Sequence, residues 1–200
     1  MAVSEDDGSL HLSRLTDSGS ATTSPHGWTA QAGWFAFIEN ESRVWAYDGD
    51  RALYLDKIPG RRRVEIKSRV GDRHPLTSTG LGKALALDDA PAHWRELFDK
   101  DQANGSFPID YAVWEQRMQD YVASGYAFDL EENEDLIRCV AAPVRDVSGR
   151  IVAAISVSSA AQYMDDERMR ALADDVRGTA LSVSWELGFA PALPHAGRTG

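Results

Sequence analysis

The sequence predicts an α+β fold built on a largely antiparallel central sheet flanked by helices. Three observations predict it. Strand signals fall in two groups of three, at 43–70 and 126–158, with helical segments between and after them. In the first group the turn Asp48-Gly49-Asp50 joins two apolar runs, and in the second Val147-Ser148-Gly149 turns the chain between strands. Composition agrees: in a chain of 200 residues, 43% hydrophobic and 26% charged is enough for a packed core and argues against extended disorder.

Each element follows from its local pattern. Residues 1–28, rich in Ser, Thr, Gly and Asp without an apolar period, are expected to be a flexible polar and acidic tail. The domain is expected to span 29–189, followed by a second flexible tail at 190–200. Thr29–Asn40 is read as helical, then Arg43–Tyr47 and Ala52–Ile58 as hairpin strands. In RRRVEIKSRV (61–70), charged side chains alternate with Val64, Ile66 and Val70, the period of a half-buried strand. Ser78 or Thr79 caps a helix to Leu87, and Pro91 opens a second that ends near Asp99. Asp110 caps a third, with Trp114, Met118, Tyr121 and Val122 on one stripe and Gly125 as its stop. Tyr126–Asp129, Ile137–Val144 and Ile151–Ser158 read as strands. The final helix, about Asp165 to Leu187, carries Met169, Leu172, Val176, Ala180 and Val183 at spacings of three and four and ends at Gly188.

Charge and cysteine usage narrow the function. With 21 basic against 31 acidic residues the net charge is −10, which disfavours direct nucleic-acid binding, including through the basic stripe at 61–69. A single cysteine, Cys139, excludes an internal disulfide framework and a Cys-rich zinc module. No apolar run reaches the ~18 residues of a bilayer span, and the N-terminus lacks a signal-peptide core, so a cytoplasmic protein without a membrane partner is expected.

Four places carry polar chemistry. Gly80 and Gly82 follow Thr77, Ser78 and Thr79 at a helix start, where backbone N–H groups can meet an anion; a simple capped helix start is the alternative, and the spacing is not that of a P-loop. The run Asp129–Asp135 reads as a solvated acidic loop without calcium-loop spacing, although Asp129 ends a strand and can point inward. Cys139 reads as packing unless a base such as His74 or His93 reaches it. Ser156 and Ser158 share one face of an apolar strand, where buried hydroxyls need partners that a ligand can supply. The tryptophans at 28, 34, 45, 94 and 114 read as core or interface anchors.

The ordered set LYLDKI (53–58), VEIKSRVGDRHPLTSTGLGKALAL (64–87), SGYAFDLEE (124–132), IRCVAAPVRDVSGRIVAAISVSS (137–159) and WELG (185–188) resembles the effector-binding domain of the IclR family of bacterial transcription regulators. That resemblance covers about Val44 to Leu187 and implies a GAF-like (profilin-like) domain whose pocket binds a small organic or aromatic acid. It implies ligand contacts from Ile66, Gly80, Leu81, Asp129, Cys139, Ser156 and Ser158. Some pockets of this type carry zinc, to which Asp129 and Cys139 could contribute; no cofactor is expected here. Full-length members place a winged helix-turn-helix of roughly 60 residues before this domain, and the 28 polar and acidic residues here are expected to be too few for one.

Two readings follow. In the first, the chain is a ligand sensor in transcriptional regulation, acting through contacts in a homo-oligomer, dimer or tetramer, or in a hetero-oligomer with a full-length relative, and without its own DNA-binding module. In the second, the same pocket has become an enzyme acting on its acid ligand, with Asp129, Cys139 or His74 as the acid/base or thiol group.

Overall fold

The computed structural model describes residues 22–23, 29–30, 41–58, 69–105 and 107–190. A short pair, β1 (Thr22–Thr23) and β2 (Thr29–Ala30), comes first in the chain and forms its own small sheet. Six further strands follow: β3 (Glu41–Asp48), β4 (Arg51–Ile58), β5 (Arg73–Pro75), β6 (Ala127–Leu130), β7 (Ile137–Arg145) and β8 (Ile151–Ala160). They form one sheet in the order β5-β4-β3-β8-β7-β6, every neighbouring pair antiparallel. The hairpin expected at Asp48-Gly49-Asp50 is present, pairing Asp48 with Arg51, and Gly49 takes the positive φ of 66° that closes so short a turn.

Helix starts follow their caps. Thr79 accepts from the Gly82 N–H to open α1 (Gly80–Leu85), Pro91 is the first residue of α2 (Pro91–Ala103), and Asp110 caps α3 (Tyr111–Ser124), which Gly125 stops at φ 75°. Asp165 caps α4 (Asp166–Glu186).

Several expectations are corrected. Thr29–Ala30 is a strand and not the start of a helix; residues 31–40 lie outside the described residues. Residues 59–68, with Ile66 and most of the basic stripe, also lie outside them, while Arg69 and Val70 belong to no strand. Among the described residues, the strand beside β4 on the side away from β3 is β5, at Arg73–Pro75. Helix α1 stops at Leu85, two residues early, and α2 runs past Asp99 to Ala103. Among the described residues, no helix is long and apolar enough to cross a membrane.

Period-2 alternation divides the sheet's two faces. Val140, Ala142 and Val144 of β7 and Ala153, Ile155 and Val157 of β8 meet Met169, Leu172, Val176 and Ala180 of α4. Ala52, Tyr54, Ala127, Ala141 and Ala154 point the other way, into a core built by Leu81, Leu85, Trp94, Phe98 and Trp114 of the first three helices. Trp94 and Trp114 are therefore core residues, each donating its indole N–H to a backbone carbonyl, of Ala86 and Thr77. The sixth tryptophan, Trp185, is exposed. Leu172 is fully buried at the centre of the α4 layer, so Leu172→Ala is expected to lower the free energy of unfolding in urea by about 2–5 kcal/mol.

Candidate functional site

Strand register builds a polar row under α1. Asp129 of β6 pairs with Cys139 of β7, and Cys139 pairs with Ser158 of β8; Ser156 pairs with Ala141. Alternation turns all four side chains toward the helix layer, the face that also carries Ala127, Ala141 and Ala154. All are buried: Asp129 is 5% exposed, Cys139 6%, Ser156 2% and Ser158 1%.

Helix α1 closes over this row by close approach. A Cβ at Gly80 would stand 2.4 Å from Cys139 Sγ and 3.2 Å from the Asp129 backbone nitrogen. A Cβ at Gly82 would stand 2.5 Å from Leu76 Cα. The glycines are there for contact distance. The hydroxyls before them are committed elsewhere: Thr77 donates to Asp101 at 2.7 Å, Thr79 donates to the Pro75 carbonyl at 2.8 Å, and Ser78 donates to Asn133 at 3.4 Å. Of the two readings of this segment, the capped helix start describes those side chains.

Ser156 and Ser158 are different. Among the described residues their hydroxyls are buried with no hydrogen-bond partner. A buried hydroxyl left unpaired costs about 1–3 kcal/mol, so two on one face are an unsatisfied demand. Ser159 is also buried and unpartnered, but it faces the α4 side.

Asp129 accepts the backbone N–H of Glu132 at 2.9 Å and that of Asn133. Burial pushes its carboxyl up to about 6, against the downward pull of Lys83. The acid loop expected to be solvated is partly inside, a correction to its reading as a surface run. Glu132 is 5% exposed, and its carboxylate receives Lys83 Nζ, Arg117 at 2.9 Å and the Leu130 N–H at 3.3 Å. Lys83, 1% exposed, also donates to the Phe128 carbonyl at 2.9 Å. Sequence reasoning missed Lys83, Glu132 and Arg117. The available signal was Lys83 itself, a cation in a short helix of otherwise small and apolar residues, which needs a buried anion.

His74 is not brought to this site. It lies on β5, at the opposite edge of the sheet from β6, five strand spacings or about 24 Å from Asp129 along the sheet. His93 lies on α2 beside Asp89 and Glu96. Ile66 lies outside the described residues. Among the described residues, Asp129 and Cys139 belong to no group of three or more His, Cys, Asp or Glu that could hold a metal ion.

Residues 41–185 match the family described as "Bacterial transcriptional regulator IclR C-terminal". The chain belongs to this family. Among curated IclR relatives it is 32% identical to the HTH-type transcriptional regulator XynR of Escherichia coli, over 71% of this chain and 58% of that one. It is 32% identical to the repressor AllR of Klebsiella pneumoniae, over 72% of this chain and 54% of that one. The chain thus spans little more than half the length of these relatives. Among solved IclR-type structures, the Thermotoga maritima IclR matches with a TM-score of 0.65 at 27% identity, covering 78% of this chain and 64% of that one. The Agobacterium tumefaciens repressor BlcR, at a TM-score of 0.71 and 24% identity, covers 78% and 63% and shows the shared fold.

Gly80→Ala is expected to cost about 1–3 kcal/mol in urea unfolding, because the methyl meets the Cys139 sulfur and β6 backbone. Asp129 titrates higher folded, at about 6, than unfolded, near 3.8, so the folded state holds the extra proton between those values. Stability from this group is present at low pH and lost as pH rises through about 6. Asp129→Asn, which keeps the neutral form at every pH, is expected to gain on the parent by up to about 3 kcal/mol between pH 4 and 6.5. A difference that stays flat with pH contradicts this.

Proposed function

We propose that the domain binds a small organic or aromatic carboxylic acid beneath α1 and senses it for transcriptional regulation. The observation that carries this reading is the pair of buried, unpartnered hydroxyls of Ser156 and Ser158 on the face of Asp129 and Cys139. A carboxylate there would take two O–H bonds, and the first-turn amides of Gly80 and Leu81 start a helix directly above. A bound anion would push the Asp129 carboxyl, already raised to about 6 by burial, further up toward its neutral form, in which it would donate to the ligand. Ile66 would add an apolar wall. The matched relatives are named as transcriptional regulators and repressors, which supports the regulatory role. Occupancy would be passed on through subunit contacts in a homo-oligomer, or in a hetero-oligomer with a full-length relative, in the cytoplasm.

Chemistry on the ligand is the weaker reading. It loses one of its three candidate groups, since His74 lies at the far edge of the sheet from Asp129 and Cys139.

Thermal-shift screening of the full chain against small acids at millimolar concentration tests the proposal, with Ser156→Ala and Ser158→Ala beside it. Each alanine variant is expected to melt no lower than the parent without ligand, because it removes an unpaired buried hydroxyl worth about 1–3 kcal/mol of penalty. Each is expected to lose most of the acid-induced shift. A parent melt that no acid moves counts against the reading, as does an acid shift that survives both substitutions.

A further inference from the structure

We propose that Glu132 is a positioning residue, which holds the start of α1 and the Asp129 carboxylate in register as the two sides of one site. The proposal rests on the acid-binding reading above. Glu132 touches both sides with different atoms. Its backbone N–H donates to Asp129 Oδ1 at 2.9 Å, on the sheet side. Its carboxylate takes Lys83 Nζ, on the helix side, three residues after Gly80 in the same short helix. Its other oxygen takes Arg117 of α3 at 2.9 Å. A single residue thus ties β6, α1 and α3 together around the polar row.

The local backbone is bent to make this possible. Glu131 sits at φ 69° and Leu136 at φ 63°, a left-handed conformation that a residue with a Cβ adopts only under constraint. The turn at Glu131 carries the chain inward, so that Glu132 is buried while Glu131 on its outer side pairs with Arg138 at 3.0 Å. Burying a Lys–Glu–Arg cluster loses hydration that its mutual attraction only partly returns, so apolar residues of similar volume would hold the fold as well. Such residues would not fix a distance and direction between Asp129 and the helix start, which directional charge-assisted bonds do.

Cys139 reports on that register independently of any ligand. It is the only cysteine, and its sulfur lies under Gly80, where a Cβ would stand 2.4 Å away. If the Glu132 link seats α1, cutting it lets the helix start lift and exposes the thiol. The test uses the full chain with Lys83→Met and Glu132→Gln together, a neutral pair in which the new amide oxygen can still accept from Arg117. Labelling of Cys139 by a chromogenic aromatic disulfide is followed in native buffer, and acetate, pyruvate and benzoate are titrated by calorimetry. The expected result is a melting temperature near the parent's, labelling faster by about tenfold, and affinity for any acid the parent binds weaker by about tenfold. Val176→Ala, which weakens the α4 side only, is the control for general loss of stability and should label more slowly than the double variant at equal or lower melting temperature. Arg117→Gln, on the outer side of the same carboxylate, repeats both measurements at smaller amplitude if the double variant folds poorly. A parent that binds none of the acids overturns the acid-binding reading, and the proposal with it. A parent that binds one, with variants matching it in affinity and labelling, overturns the proposal alone.

Discussion

Helix α1 can lie on the sheet at this depth only because Gly80 presents no side chain to Cys139 and the β6 backbone. Much of the rest depends on that contact. Thr79 must cap the helix from outside, since every residue of α1 is buried and its first turn has no solvent to satisfy it. Lys83, carried inward by the same short helix, must find an anion, and Glu132 must leave its loop to supply it. Trp114 donates to Thr77, and Asp101 accepts from the Thr77 hydroxyl and amide, so α2 and α3 are fastened to the segment that leads into α1. The seating of six residues thus organises three helices and an edge strand.

The two faces of the sheet differ in how much polarity they bury. β8 shows this in alternation: Ala153, Ile155 and Val157 pack against α4, while Ala154, Ser156 and Ser158 turn toward α1. The α4 face carries most of its contact through apolar side chains that need nothing but volume. The α1 face buries a carboxylate, a thiol, two hydroxyls and a charge cluster, each more expensive to hide than an apolar side chain of its size. Retaining that many polar groups under one short helix makes sense where a polar molecule is to be met there, and the IclR membership of the chain is consistent with it.

What could be read from the sequence was what local chemistry decides. The hairpin at Gly49, the caps at Thr79 and Asp110, the stop at Gly125 and the long α4 starting near Asp165 follow from short-range geometry. Alternation puts Ser156 and Ser158 on one face, while only the family resemblance implied that Asp129 and Cys139 line the same site; the register across β6, β7 and β8 that joins them is a property of the sheet. The buried role of Glu132 was not legible. A run of five carboxylates in seven residues looks solvated, and only Lys83 and Arg117, brought in from other elements, reverse that. The separation of His74 from Cys139 was equally hidden, because it depends on strand order, and strand order is a property of the whole chain. The helix expected at 29–40 failed at its first two residues, where strand pairing with Thr22–Thr23 prevails over an aromatic-rich pattern that also contains Gly33.

The central claim is that the face under α1 is a ligand site completed by an acid. A high-resolution crystal structure of the full chain grown with the acid that most raises its melting temperature tests it directly. The expected result is density for the acid within hydrogen-bond distance of the Ser156 and Ser158 hydroxyls and the α1 start, with Asp129 facing it. Serine hydroxyls satisfied by protein groups or by ordered water alone, with the acid bound elsewhere, would contradict it.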